Sequence, residues 1–217
     1  MISYKIDNVE LTTYGIRVSN SKGLHDLPKM KKPLTTEFPD RHGERVDLTS
    51  IYYEAREIEL ECWIEATSRA DFLTNLNTFI TTALVKTGLR QLVVEYDTTK
   101  PLCFMCYFAD GLNVTRETKW NADRMFGTFT LKLREPEPFK RVLKFTAAAG
   151  ALTCNLAFIT PKSVTVYWGN NTSQAVNVTS ANLSKTYTAG TYIIAIVGNA
   201  NEITNLSTNA TTIWSLQ

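Results

Sequence analysis

A chain of 217 residues with 44% hydrophobic and 20% charged side chains has material for one large or two small apolar cores, which excludes a disordered polypeptide. Its formal net charge of +2 is too small to recommend nucleic acid or an anionic membrane as a partner. No stretch approaches the roughly 20 apolar residues of a transmembrane helix, and residues 1–8 carry Lys5 and Asp7 where a secretory leader needs an apolar core. Cytosolic synthesis, with Cys62, Cys103, Cys106 and Cys154 as reduced thiols, is therefore the expectation.

Short strands are predicted over 4–9 and 14–18, joined through Thr12 and Thr13 with Gly15 beside them. Residues 19–40 then lose all periodicity. Pro28, Pro33 and Pro39, interspersed with Lys22, Lys29, Lys31 and Lys32, resist helix and internal strand alike. An aperiodic stretch this long inside a compact domain is either an arm that reaches a neighbour or a loose surface loop, and both readings stay open. Gly43, within 41–48, turns the chain back.

Residues 56–64 alternate strictly, with Ile58, Leu60, Cys62 and Ile64 on one face and Glu57, Glu59, Glu61 and Trp63 on the other, the signature of a half-buried strand. Ser68, with Asp71 three residues later, resembles a capping box and opens a helix. Phe72, Leu73, Leu76, Phe79, Ile80, Ala83 and Leu84 recur at helical spacing and face a partner, and Gly88 is the expected C-cap. The preceding strand is the simplest partner, giving a sheet covered by one helix on one side and bearing carboxylates on the other. Strands over 89–96 and 102–108 follow. Asp110-Gly111 then turns the chain into 112–120, and 121–124 reverses it into 125–134. Pro136 and Pro138 stop that strand and read as a hinge or boundary.

Beyond residue 146 the only charged side chains are Lys162, Lys185 and Glu202, and Asn, Thr, Ala and Ser dominate. The break in composition predicts two domains, 1–145 and 146–217. Apolar runs over 152–158, 164–168, 175–178, 191–197 and 211–216 make the second a small all-β sandwich. The fold class is thus mainly β with one packed helix.

Candidate chemistry is sparse. Cys103 and Cys106 match C-x-x-C, but residues three apart on a strand face opposite ways, and neither His25 nor His42 stands at ligand spacing, so inert buried thiols are the reading. Glu57, Glu59, Glu61 and Glu65 could pair as hydrolase carboxylates, yet four in a row suit a solvated sheet face better. With no nucleophile elbow, P-loop or dinucleotide fingerprint, neither an enzyme nor a cofactor is expected. Asn170, Asn177, Asn182, Asn205 and Asn209 sit in glycosylation-type sequons that follow from Asn/Thr-rich composition. Trp168, Tyr187, Tyr192 and Trp214 offer either a sugar-stacking platform, with Trp168 and Tyr192 as glycan contacts, or core; alternating strand positions favour core.

Residues 1–145 resemble the N-terminal, tail-tube-like domain of siphophage distal tail proteins. The likeness lies in 11–15, the long aperiodic arm, Arg41-x-Gly43 through Asp47-Leu48, 56–64 with its helix opening Ser68-Arg69-Ala70-Asp71, and the closing strand 129–133 with Pro136. Residues 160–198 look like the small β-sandwich modules related to polycystic-kidney-disease repeats, carried by 164–169 and 186–192. The usual W-G-D-G-T stands here as Trp168-Gly169-Asn170-Asn171-Thr172, which removes the aspartate of a calcium site.

The first resemblance implies a β-sandwich or split barrel with one helix, in a non-enzymatic virion or prophage tail protein. Such proteins form hexameric rings that join the tail tube to the baseplate or tail fibre. It implies a homo-oligomer made in the bacterial cytoplasm, with DNA passing unbound and no membrane partner. Lys29, Lys31, Lys32, Arg41 and Arg45 would contact the neighbouring subunit, and Glu57, Glu59 and Glu61 would face the lumen and repel DNA. The alternative is a carbohydrate-binding adhesion module.

Overall fold

The computed structural model describes residues 2–117, 124–148 and 150–217; all but Arg124 of the reversal expected over 121–124, and the end of the strand expected over 112–120, lie outside the described residues. The strands are β1 Ser3–Ile6, β2 Val9–Glu10, β3 Ile16–Lys22, β4 Leu34–Glu37, β5 Glu44–Asp47 and β6 Arg56–Ala66, followed by the helix α1 Arg69–Phe79. Then come β7 Arg90–Glu95, β8 Leu102–Phe108, β9 Thr115–Arg116, β10 Met125–Glu135, β11 Lys140–Ala147, β12 Leu152–Ile159, β13 Val164–Tyr167, β14 Ser173–Val176, β15 Ser180–Tyr187, β16 Gly190–Gly198, β17 Thr204–Thr208 and β18 Thr211–Trp214. The molecule is mainly β with one helix, as the alternation and the single helical stripe predict.

The first sheet runs β2-β1-β7-β8-β10-β6-β3, with β9 added to β10. Among the described residues its halves join by a short pairing, Leu133 with Phe108 and Arg134 with Tyr107, continued by the Ala109 N–H to Lys132 O bond, so the sheet folds over there. Ile6, Leu92, Val94 and Phe104 of one half then pack against Ile58, Leu60, Ile64, Phe129 and Leu131 of the other in one core. The alternation of β6 is as expected, with Ile58, Leu60, Cys62 and Ile64 buried. Helix α1 closes this core: Ser68 Oγ accepts from the Asp71 N–H at 3.1 Å, and Phe79 stands 5.5 Å from the Tyr14 ring and 6.2 Å from the Phe129 ring.

Two helical expectations are corrected. Leu73 is exposed, because the buried stripe runs through Phe72, Phe79, Ala83 and Leu84. Nor does Gly88 cap the helix: Ile80–Leu84 forms a wider turn, in which the Val85 N–H donates to Ile80 O at 2.9 Å, and Gly88, at φ 83°, bends the chain beyond it.

A five-stranded sheet, β14-β13-β16-β11-β18, faces a three-stranded sheet, β15-β12-β17, across a second core that includes Leu156, Phe158, Val166, Trp168, Ile194 and Ile196. Strand β11 belongs to this sheet along its whole length, so its pairing begins at Lys140, upstream of residue 146. A third apolar layer joins the two units: Val93, Cys103 and Met105 of β7 and β8 meet Val142, Ile193, Ala195 and Val197 of β11 and β16. Strands β7, β8 and β16 are covered on both faces, which is why their centres read as apolar runs without alternation. Polar contacts fasten the layer, with Gln91 Nε2 donating to Ile193 O at 2.8 Å, Trp214 Nε1 to Pro101 O at 2.9 Å and Lys144 Nζ to Thr98 O at 2.8 Å.

Candidate assembly surface

The stretch expected to be aperiodic, 19–40, supplies one strand of a two-stranded ribbon whose other strand lies in 41–48. At its root the Lys31 N–H donates to Tyr52 O at 2.8 Å and the Glu54 N–H to Lys29 O at 2.7 Å, while Met30 bridges Tyr53. Further out, Leu34–Glu37 pairs with Glu44–Asp47, and Gly43, at φ 80°, turns the tip. The alternation that would mark β4 and β5 is missing from the sequence because neither face is buried. Leu34 is 73% exposed and Leu48 53%, with Leu27, Phe38, Ile51 and Tyr52 also open to water. A lone two-stranded ribbon is marginal in water, and an unpaired one presents free backbone and apolar surface to whatever can cover it.

Lys29, Lys31, Lys32, Arg41 and Arg45 are all exposed on this arm, and none forms an ion pair among the described residues. The basic character is confined to the root, however. Residues 34–47 set Arg41 and Arg45 against Glu37, Asp40, Glu44 and Asp47, and Glu37 lies directly opposite Glu44. Like charges facing across a ladder are destabilising, so a partner that covers the tip gains by bringing a cation there.

The carboxylate face of β6 is corrected by its neighbours. Glu57 lies opposite Arg134, Glu59 opposite both Lys132 and Lys22, and Glu61 opposite Thr130 and Asn20. Lys22 Nζ stands 3.3 Å from Glu61 and 4.0 Å from Glu59, and Arg124 pairs with Glu65. Because β6 is central, strands on either side supply the cations, and the face is a mixed-charge ladder rather than an anionic sheet. On the same surface Trp63 rests 5.3 Å from Phe126, with the Arg17 guanidinium 5.5 Å over its ring.

The aromatic platform of the second unit is core. Trp168 is 2% exposed and its carbonyl accepts the Tyr187 hydroxyl at 2.7 Å, which removes it as a glycan contact. Tyr192 is half-buried against the Tyr187 ring at 4.2 Å, and Trp214 belongs to the layer between the units. The Trp168-Gly169 turn is fixed by Gly169 at φ 73°, where a Cβ would overlap the Ile193 carbonyl oxygen.

The cysteines of the C-x-x-C match point apart, Cys103 into the layer between the units and Cys106 into the first core. Burial pushes the Cys62 and Cys103 thiols up to about 12 and Cys106 higher still. A thiol reagent at pH 8 is therefore expected to leave the native protein essentially unlabelled and to label all four cysteines in denaturant. Rapid native labelling of Cys62, Cys103 or Cys106 would contradict that burial.

Sequence reasoning missed the ionic cluster flanking Pro136 and Pro138. Glu135 and Lys140 are both 0% exposed, with Lys140 Nζ 2.6 Å from Glu135 Oε1 and donating to Pro138 O at 3.0 Å. The Met105 N–H donates to the same Glu135 oxygen at 3.1 Å, and the buried Arg56 brings Nε to 3.6 Å from Oε2. Phe139 also packs 4.8 Å from Tyr53. The crossing read as a hinge is fastened at both ends. Burial raises the Glu135 carboxyl and lowers the Lys140 ammonium, while each group's attraction to the other opposes the shift. Charged residues beside prolines gave no signal for this, because the contact depends on how the units stack.

No family model matches the chain, and no curated protein does. Among solved structures the chain is similar to the Dit (gp 19.1) protein of SPP1, described as a paradigm of the hub adsorption apparatus in Gram-positive infecting phages. Identity is 12% and the TM-score 0.49, over 98% of this chain and 85% of that one.

Proposed function

We propose that the chain is a structural subunit of a phage or prophage tail, assembling with copies of itself into a ring that connects the tail tube to the baseplate or tail tip. The observation that carries this reading is the arm. An exposed ribbon, apolar in part and paired with no other strand among the described residues, gains stability when a neighbour covers it. A contact between the arm of one copy and a different surface of the next is heterologous, and repeating it closes a ring when the rotation allows; six copies is the number the distal tail resemblance implies. In this arrangement the first unit assembles, the second unit, whose sheet begins at Lys140, faces outward, and the tail tube and baseplate or fibre proteins are the other partners. The subunit is non-enzymatic and resides in the virion tail. Substituting the arm, as set out in the Discussion, tests the reading.

The mixed ladder on β6 supports a revised role for its glutamates in a lumen. Glu57, Glu59 and Glu61 stand opposite Arg134, Lys132 and Lys22, and with Lys22 ion-paired to Glu59 and Glu61 and Lys132 to Asp110, passing DNA meets no array of free cations. Replacing all three with glutamine would unmask Lys22 and leave Arg134 without the carboxylate opposite it. The variant is expected to gain salt-dependent DNA binding, with log affinity falling against log salt at a slope of up to about −2, at about 0.9 per phosphate contact. Absence of any gain in binding at low salt would remove the glutamates from this role.

A further inference from the structure

Glu135 is a single carboxylate between two buried cations that belong to different parts of the molecule. Lys140 opens β11, the start of the second unit's central sheet. Arg56 opens β6 directly after the arm, two residues beyond Glu54, whose N–H zips the arm's root to Lys29. Both cations lie over the ring of Phe104, at 5.2 Å for Lys140 and 5.3 Å for Arg56. The two legs are unequal. Lys140 holds Glu135 at 2.6 Å, whereas Arg56 stands at 3.6 Å, and both Arg56 Nε and Glu135 Oε2 are buried without a hydrogen bond.

We propose that Glu135 is a two-position latch: it is engaged here on Lys140 of the second unit, and whatever draws Lys140 away lets the carboxylate close on Arg56 and stiffen the arm's root. The physical basis is an unequal share of one carboxylate. Lys140 and the Met105 N–H both hold Oε1, which keeps Oε2 3.6 Å from Arg56, and closing that gap would pair two polar atoms now left without partners. Coupling of this kind is reciprocal, so loosening the Arg56 leg tightens the Lys140 leg. If the arm does reach a neighbouring subunit, as proposed above, a load on the outward unit would be felt at the subunit contact.

Hydrogen exchange of the full chain, carried with Leu34→Asp and Leu48→Asp so that it is monomeric, tests the latch independently of ring formation. Lys140→Met keeps an unbranched side chain over Phe104 and removes the competing cation. It is expected to slow exchange at least threefold at Lys31 and Glu54, whose N–H groups close the arm's root, with Tyr53 left out of the comparison because it packs on Phe139 beside the substitution. Arg56→Met is expected to slow exchange likewise in 139–143, and it carries the test alone if Lys140→Met loses its near-ultraviolet dichroism. Glu135→Gln is expected to speed exchange on both sides. A purely structural role for Lys140 and Arg56 would speed or leave unchanged the exchange at the opposite leg, and either result overturns the latch.

Discussion

Replacing Leu34 and Leu48 with aspartate is expected to abolish self-assembly while leaving the monomer folded. Both side chains stand in solvent on the arm, so the substitutions remove no contact from any core; an aspartate at 34 faces Asp47 across the ribbon, a like-charge pair that costs the ribbon about 0.2–1 kcal/mol and leaves both cores untouched. At an interface the sign reverses. Full burial of a leucine is worth about 1.5–3 kcal/mol, and an aspartate in its place adds a desolvated charge. Two such losses weaken each subunit contact by about a thousandfold or more, at 1.4 kcal/mol per factor of ten. Sedimentation would read the assembly and thermal unfolding the monomer. If the double variant assembles like the unaltered chain, the arm is not the contact.

The second large effect is expected at Gly23, where the chain leaves β3 to become the arm. Its φ of 82° lies in the left-handed region, and a Cβ there would overlap the carbonyl oxygen of Glu57. That oxygen belongs to the backbone of the central strand β6, which cannot move aside without breaking its pairing to β10. Gly23→Ala therefore combines a left-handed penalty of about 1–2 kcal/mol with an overpacking penalty of about 1–3 kcal/mol. A lowered denaturant midpoint with an unchanged m-value would agree. Gly43→Ala is the control, because Gly43 also has a positive φ but open space around it. It should show only the left-handed penalty, taken up by the ribbon.

What could be read beforehand depended on whether burial was local. The strand β6 and the start of α1 were legible because one face of each is wet and the other dry, which writes a period into the sequence. Strands β7, β8 and β16 showed apolar runs without alternation, because the two units sandwich them, and the stacking was not foreseeable from the runs alone. Strands β4 and β5 were missed for the opposite reason, because solvent covers most of their surface, and β15 was missed because small and polar residues such as Ser180, Asn182, Ser184 and Lys185 dilute the alternation of Ala181, Leu183 and Tyr187 that face the second core. Of the candidate site, the arm and its cations were visible through prolines and lysines. Its acidic tip, the neutralised face of β6 and the Glu135 cluster depend on which strands lie side by side, a matter of topology.

The most direct measurement is the mass of the purified protein by light scattering across a wide range of concentration. The expected result is a discrete species of six chains that persists on dilution and is lost when Leu34 and Leu48 are replaced by aspartate. A single-chain mass at every concentration, with the arm's amides exchanging no more slowly when concentrated than when dilute, would contradict assembly through the arm.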